Sequence, residues 1–266
     1  MSHKLNLFIA KYTFFALLLG INLLFSSYSH GSGSYLSDAD ILESIDETVM
    51  MNDPLEDLNR SVFNFNQYFD KYIFSPVAEV YDEGLPDEIK DRVHSVLINL
   101  TTPLVFIHDV FQAEGEQAVD SCARFLINST LGLGGLFDPA AEVFDIQSHT
   151  SDFGQTLGKY GVDEGAYLMI PILGPSTVRD FTGRVLDFII DPVNYLARRK
   201  HASAVIYTRT GLTAIDARVN ANALWKRVNN GHDPYITLQS IYGQNRKFMI
   251  QGDTAIGLDS PRPSAE

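Results

Sequence analysis

The segment Asp53–Phe74, with the sequence DPLEDLNRSVFNFNQYFDKYIF, decides the fold class of this chain. Its apolar side chains recur every three or four residues, which is the spacing of one face of an α-helix: Val62, Phe65, Phe69, Tyr72 and Ile73. Asp53 precedes a proline and a glutamate, a pattern that predicts capping of the helix N-terminus. The same apolar spacing recurs in later segments, and sustained alternation with period two is missing. The sequence therefore predicts an all-α protein, and no strand is predicted.

Further helix starts are predicted where an oxygen-bearing side chain precedes proline. Such pairs occur at Thr102-Pro103, Asp138-Pro139, Asp191-Pro192 and Asp233-Pro234. Proline at the first helical position loses no hydrogen bond, and the preceding oxygen can accept from free backbone amides. The glycine-rich run 131–135 predicts a helix end, because glycine accepts the left-handed backbone found there.

The N-terminal residues have the pattern of a secretory signal. Lys4 and Lys11 precede an apolar run at 12–25, which is shorter than the roughly 20 residues of a membrane span. We expect cleavage near Ser29, with retention as an anchor as the alternative, and in both cases the protein leaves the cytoplasm. The sequence then divides into a signal peptide at 1–29, an acidic linker at 30–52, a helical domain at 53–250 and a disordered tail at 251–266.

Composition and charge exclude several classes of function. The chain has 266 residues, one cysteine and a formal net charge of -13. This charge argues against a surface that binds nucleic acid, and one cysteine forbids an internal disulfide or a multi-cysteine metal site. Acidic residues predominate before residue 179 and basic residues after it. This asymmetry fits either two faces in different surroundings, one of them near anionic headgroups, or ordinary solvated helix faces.

The motifs of common enzymes and metal sites are missing from the sequence. It contains no Gly-x-Ser-x-Gly elbow and no His-Glu-x-x-His pair. His108 and Asp109 are neighbours on a predicted helix, so their side chains point about 100° apart and do not form an acid–base pair. Cys122 lies on an apolar stripe and is predicted to be an inert buried thiol. We therefore expect no catalytic residue, no metal and no cofactor.

The aromatic residues of the first helix are too numerous for one buried face. Six of them lie within residues 63–74, and they extend too far around a helix to face a single core. Aromatic rings favour the membrane interface, so one interpretation is an interfacial helix that lines an amphipathic passage. The alternative is a buried helix whose amides bind neighbouring elements.

A series of short motifs follows in order along about residues 50–250. They include Asp53-Pro54-Leu55-Glu56, Asn59-Arg60, Phe63-Asn64-Phe65-Asn66, Arg124-Phe125, Gly134-Gly135, Phe153-Gly154, Thr156-Leu157-Gly158, Tyr160-Gly161-Val162, Arg179-Asp180 and Asp233-Pro234-Tyr235-Ile236. In this order they resemble the MlaA/VacJ family. So many ordered matches are more specific than any single motif.

The resemblance implies both a fold and a function. It implies a single ring-like helical domain, embedded in the outer membrane of a Gram-negative bacterium, with an amphipathic central channel. It further implies a non-enzymatic conduit that removes misplaced phospholipids from the outer leaflet and passes them to a periplasmic lipid carrier. A trimeric outer-membrane porin is the other implied partner, and nucleic acid is not one.

Two groups of residues are candidates for the site. Asn64, Asn66 and Gln67 are expected to line the channel, since amides can bind a phosphate at less desolvation cost than a charge. The segment 154–165 resembles the family's loop beside the channel. Its Gly158, Gly161 and Gly165 are expected either to act as hinges or to form tight turns without movement.

The sequence departs from the family pattern at its anchor. Members commonly carry an acylated lipobox cysteine at the end of the signal, and residues 23–33 contain no cysteine. We expect an exported, periplasm-facing protein held in the membrane by its embedded helices. The alternative is a soluble periplasmic helical module that binds lipid or protein.

Overall fold

A computed structural model describes residues 51–251, and most of them belong to helices. The predicted signal and most of the predicted linker and tail lie outside the described residues. The helices are α1 (Glu56–Phe69), α2 (Ser75–Gly84), α3 (Asp87–Phe111), α4 (Gly115–Thr130), α5 (Pro139–Glu142), α6 (Phe153–Lys159), α7 (Val178–Ile190), α8 (Pro192–Arg199), α9 (Ser203–Asn220), α10 (Asn222–Asn230) and α11 (Pro234–Gln251). A π-helical turn, Asp70–Phe74, joins α1 to α2. The predicted helical fold class is confirmed.

A β-hairpin between α6 and α7 corrects the expectation that the chain forms no strand. β1 (Tyr167–Ile170) pairs with β2 (Gly174–Thr177) in antiparallel register. Burial alternates along β1 as in a strand, but four residues are too few for this alternation to be recognised in the sequence. On α1, the side chain of Asn59 donates to the Tyr167 carbonyl at 3.1 Å and accepts from the Met169 amide at 2.8 Å. An asparagine of the first helix thereby holds the hairpin through its backbone.

The two ends of the described chain meet. Arg60 of α1 donates to Asp233 at 2.9 Å, and its guanidinium lies 4.5 Å from the centre of the Tyr235 ring. Asp53 accepts hydrogen bonds from the Tyr235 hydroxyl and, at 3.1 Å, from Gln239. The first and last sequence motifs therefore join α1 to α11 and bring the ends of the helical domain together.

Three of the predicted caps are confirmed. α5, α8 and α11 each begin at a proline, and Asp138, Asp191 and Asp233 accept hydrogen bonds from amides of the first turns. Two other predicted starts are wrong. Leu55 is the N-cap of α1, because the Asp53 carboxylate accepts from side chains instead. Pro103 lies inside α3, next to threonine hydroxyls that donate to carbonyls one turn earlier.

Helix α4 turns its polar side chains inward. Ser121, Arg124 and Asn128 are buried, and both Arg124 and Asn128 donate to Asp138, at 2.6 and 2.8 Å. The side chain of Leu126 is 57% exposed. Cys122, predicted to be buried, is also exposed. The apolar stripe of α4 therefore mispredicted Cys122 and Leu126, although Ala118 of the same stripe is buried. Buried hydrogen bonds of Arg124 and Asn128 favour this orientation of the helix.

The inverted distribution seen on α4, in which polar side chains are buried and apolar ones are exposed, extends over the described part of the chain. Buried polar and charged residues outnumber buried apolar ones there, and large apolar side chains are exposed on most elements. Examples are Leu58, Phe65, Tyr68, Tyr72, Val80, Phe106, Val110, Val119, Leu133, Phe144, Tyr160, Ile189, Tyr195 and Leu196. Helix α3 has the length and composition of a membrane-crossing helix, with a mean hydropathy of 1.3 over its most apolar window. Exposed apolar surface on this scale marks an interaction with membrane or protein.

Candidate functional site

A cavity of about 200 Å³ lies between the first helix, the hairpin and the last helices. Most of its wall is apolar, including Phe63, Phe69, Phe74, Met169, Leu173, Leu224, Trp225, Leu238, Ile241 and Met249. The polar part of the wall includes Asn66, Asp70, Arg184, Arg218, Asn245 and Arg246. The cavity therefore presents apolar and charged surface to the same occupant.

The Arg218 side chain is occupied by bonds within the protein. Its Nε and Nη2 donate to the two carboxylate oxygens of Asp70, at 2.6 and 3.0 Å. It also donates to Ser75 at 2.9 Å and to Asn222 at 2.6 Å. These bonds tie α9 to the π-helical turn, so that this corner of the cavity is electrically balanced.

Arg246 of α11 joins the N-termini of α6 and α7. It donates to Asp152 at 2.7 and 3.0 Å and to Asp180 at 3.0 Å, and all three side chains are buried. Burial would raise the pKa of Asp152, but the charge and hydrogen bonds of Arg246 outweigh it and hold that pKa below its ordinary value. The balance is similar for Asp180, whose pKa is also lowered. The Tyr242 hydroxyl donates to Asp180 at 2.5 Å, which extends the network to the cavity wall.

Arg184 of α7 differs from the other two arginines of the cavity. Its side chain is buried, and Nη2 donates to the carbonyl of Pro175 at 3.3 Å. Its Nε and Nη1 atoms are buried and have no hydrogen-bond partner among the described residues. None of the ion pairs formed by residues 51–251 includes Arg184, whereas Asp70 pairs with Arg218 and Asp180 with Arg246.

The three amide residues predicted for the channel lie in different surroundings. Asn66 lines the cavity, but its side chain donates to the Ile170 carbonyl at 2.9 Å and accepts from the Ile172 amide at 2.6 Å. The amide therefore holds the tight turn of the hairpin. Asn64 is exposed and Gln67 is half-buried, and neither belongs to the cavity wall. That they contact a transported molecule stays a prediction.

The three predicted hinge glycines also differ from one another. Gly161 and Gly165 have φ angles of 81° and 71°, which favour glycine. Gly158 lies inside α6, where a Cβ atom would meet the side chain of Ile250 at 2.7 Å. Close packing explains Gly158, whereas backbone conformation explains the other two. That any of them moves stays a prediction.

A pair of glycines that sequence reasoning did not single out as a site fixes the crossing of α6 and α7. A Cβ atom on Gly183 would lie 2.4 Å from the backbone nitrogen of Gly154. A Cβ atom on Gly154 would in turn meet Asp180 at 2.7 Å and Arg246 at 2.8 Å. The signal available in the sequence was Gly183 itself, a glycine in the interior of a helical pattern.

Two buried polar residues of α3, His108 and Asp109, have structural partners. His108 lies 2.7 Å from Asp187 and Asp109 accepts from Ser121 at 2.6 Å, so the two neighbours diverge as predicted. His149 approaches Asp109 at 3.0 Å and Ser121 at 3.5 Å through the same Nε2 atom. A catalytic triad uses the two different ring nitrogens of its histidine, so this cluster does not have that geometry.

Comparison with known proteins identifies the family. The model of the family described as MlaA lipoprotein matches residues 51–249. The chain belongs to the MlaA lipoprotein family. The protein named intermembrane phospholipid transport system lipoprotein MlaA is 33% identical over 201 residues in Haemophilus influenzae, covering 75% of this chain and 79% of the relative. The protein of the same name in Escherichia coli K12 is 29% identical over 217 residues, covering 80% and 84%.

A further relative and a solved structure extend the comparison. An uncharacterized protein of Rickettsia prowazekii is 36% identical over 200 residues, which are 75% of this chain and 78% of that protein. A solved structure, reported as the structural basis for maintenance of bacterial outer membrane lipid asymmetry, is 30% identical and superposes with a TM-score of 0.66. The superposition covers 75% of this chain and 100% of the solved chain. The predicted family is therefore confirmed.

Proposed function

We propose that this protein is a phospholipid conduit of the outer membrane. In this proposal it takes up phospholipids misplaced in the outer leaflet and passes them toward the periplasm, without making or breaking a covalent bond. The curated relatives from H. influenzae and E. coli carry the name of an intermembrane phospholipid transport system. Their similarity to this chain covers most of the helical domain.

The inverted distribution of side chains carries the proposal. Buried polar groups hold the helices together while large apolar side chains are exposed on most elements. Fully burying one large apolar side chain contributes about 1.5–3 kcal/mol, so the many exposed apolar side chains favour a protein surrounded by lipid. Buried hydrogen bonds give such a protein internal cohesion that does not depend on contact with water.

The cavity supports a role in handling amphiphiles. An apolar wall suits acyl chains, and polar groups on the same wall suit a headgroup. Asn66 at the cavity, with Asn64 and Gln67 on the same helix, are the proposed amide contacts along the path. A trimeric porin beside the domain and a periplasmic carrier below it are further parts of the proposal, and they rest on the family resemblance.

The first experiment is purification from outer membranes in mild detergent, followed by mass spectrometry of everything that co-purifies. We expect intact phospholipid and a trimeric porin. Recovery of clean protein in the soluble periplasmic fraction would contradict the embedded conduit and favour the soluble binding module. Release of lysophospholipid or free fatty acid by the purified protein would instead indicate an enzyme.

A blocked cavity provides the second experiment. Ala221 is buried in the cavity wall, whereas Ala223 is exposed, so Ala221→Phe and Ala223→Phe form a matched pair. In cells that lack the native copy, we expect phospholipid to accumulate in the outer leaflet with Ala221→Phe and to stay at the wild-type level with Ala223→Phe. Overpacking costs about 1–3 kcal/mol, so the thermal midpoint and abundance of both variants are measured as well. Normal lipid removal by a folded Ala221→Phe protein would exclude this cavity from the path.

A further inference from the structure

Arg184 is a buried cation without a counter-charge in the described part of the chain. Its side chain is 8% exposed and lines the cavity. The guanidinium has five N–H groups, and Nη2 uses one of them for the Pro175 carbonyl. Nε and Nη1 are buried and have no partner among residues 51–251. Such a group is costly to bury unless something else compensates its charge.

The other arginines of the cavity show that this fold does compensate buried cations. Arg218 has the carboxylate of Asp70 at 2.6 Å, and Arg246 has Asp152 at 2.7 Å and Asp180 at 3.0 Å. Arg184 lies on the same wall and lacks such a carboxylate. Arg184 is therefore the arginine of this wall whose donors no described carboxylate takes up.

We propose that Arg184 binds the phosphate of a phospholipid headgroup inside the cavity. This inference rests on the proposed conduit function and names the group that the conduit recognises. Arginine favours phosphate because its planar donors match the phosphate oxygens and its charge persists at every physiological pH. The apolar side chains around it favour an anion that carries acyl chains over a free anion.

The size of the cavity sets which part of the lipid it holds. An apolar cavity of about 150 Å³ accommodates one benzene molecule. The cavity beside Arg184 measures about 200 Å³, which suits the headgroup region and leaves the two acyl chains to extend along the apolar wall. Asn245 of α11 lies on the same wall and offers a further amide.

The test compares two lipids that differ only in the headgroup. Dioleoyl phosphatidylglycerol and dioleoylglycerol are titrated separately into the purified full chain in detergent, and binding is measured by native mass spectrometry. The variants are Arg184→Met, which keeps the length of the side chain, and Arg184→Lys, which keeps its charge. Arg199→Met is the matched control, because Arg199 is exposed at the end of α8 and does not line the cavity.

We expect the wild type to prefer phosphatidylglycerol and Arg184→Met to lose about tenfold to hundredfold of that preference while still binding both lipids. Arg184→Lys is expected to keep part of the preference, and Arg199→Met all of it. Without lipid, Arg184→Met is expected to unfold at the wild-type temperature or above, because it removes an uncompensated buried charge. A marked loss of stability in that variant would indicate a structural arginine and overturn the proposal.

The remaining outcomes separate the proposal from the function on which it rests. An unchanged headgroup preference in Arg184→Met would reject Arg184 as the phosphate site and leave the conduit intact. If the wild type bound neither lipid, the conduit itself would be contradicted. Inorganic phosphate is the third ligand, and if it raised the thermal midpoint of the wild type as much as phosphatidylglycerol does, the site would recognise a free anion and the lipid assignment would be wrong.

Discussion

Replacing Arg246 by methionine tests the buried network that joins α6, α7 and α11. Arg246 is the cation for two buried carboxylates, with distances of 2.7 Å to Asp152 and 3.0 Å to Asp180. Removing one partner of a buried ion pair costs about 3–5 kcal/mol, because the other charge stays buried without compensation. For a domain of this size, 1 kcal/mol corresponds to a thermal shift of about 2–4 °C, so we expect the midpoint to fall by about 6–20 °C at pH 7.

The loss of stability caused by Arg246→Met depends on pH. The direction of that dependence follows from the pKa values of the buried carboxylates. In the wild type the pKa values of Asp152 and Asp180 are lowered, so their contribution to stability is present above the unfolded pKa of about 3.9 and is lost as pH falls through the folded values. In the variant Asp152 is buried without a cation, which raises its pKa, whereas Asp180 keeps the guanidinium of Arg179 at 2.9 Å. The penalty of the variant is then largest at neutral pH and shrinks as pH falls through the raised pKa of Asp152, so the two proteins converge in acid.

Thermal unfolding of purified protein in mild detergent, followed by circular dichroism from pH 7 to pH 4, measures both effects. Lys159→Met is the control, since Lys159 pairs with the half-buried Glu114 at 2.9 Å near the surface. A surface pair of this kind contributes about 0–1 kcal/mol, with little change over this pH range. Adding Asp152→Asn to Arg246→Met removes the uncompensated charge and is expected to recover part of the loss. A loss below about 1 kcal/mol at pH 7, or one that is constant with pH, would refute the buried-charge reasoning.

Three further substitutions test the packing, the hairpin and the outer surface. Gly183→Ala is expected to unfold the domain or lower its thermal midpoint strongly, because the new Cβ atom would lie 2.4 Å from the backbone nitrogen of Gly154. Gly211→Ala is the matched control, because the space around Gly211 is open, and it is expected to stabilise α9 by about 0.5–1 kcal/mol in the same denaturation assay. Asn66→Leu is expected to cost about 1–3 kcal/mol, because the Ile172 amide loses its partner and the Ile170 carbonyl keeps only its bond from the Leu173 amide. Asn64→Leu is expected to stay within about 0.5 kcal/mol of the wild type, and equal midpoints would show that Asn66 does not hold the turn. Leu126→Lys is expected to leave the thermal midpoint unchanged but to weaken partitioning into phospholipid vesicles by about 2–3 kcal/mol, and unchanged partitioning would place this face of α4 outside the membrane.

The sequence predicted a helix cap correctly where the capping carboxylate and the amides that donate to it are close in the chain. Asp138, Asp191 and Asp233 accept from amides within the next three residues, and all three helix starts were predicted. Asp53 has the same pattern, but its carboxylate accepts from Tyr235 and Gln239 on α11. A partner more than 180 residues away competes with the local amides, and no local pattern can register that competition.

The asparagines of α1 illustrate the limits of predicting a site from one helix. The sequence shows amides interleaved with aromatic rings, which suggested a channel surface. The structure assigns Asn59 and Asn66, one on each side of Phe63, to the backbone of the hairpin. Which backbone group an amide binds depends on the position of a strand about 100 residues later, and a four-residue strand gives little signal of its own.

The sequence by itself determined the helical fold class, three of the helix starts, the absence of common enzyme motifs and the family. These follow from local periodicity, from capping and from short motifs in a fixed order. Only the tertiary structure decided which face of each helix is the interior. On α4 Cys122 and Leu126 of the apolar stripe are exposed, whereas Arg124 and Asn128 are buried because they donate to Asp138. The tertiary structure likewise separated Arg184 from Arg246. Both are arginines in the sequence, but Arg246 binds two carboxylates, whereas Arg184 lines the cavity and has donors without a partner among the described residues.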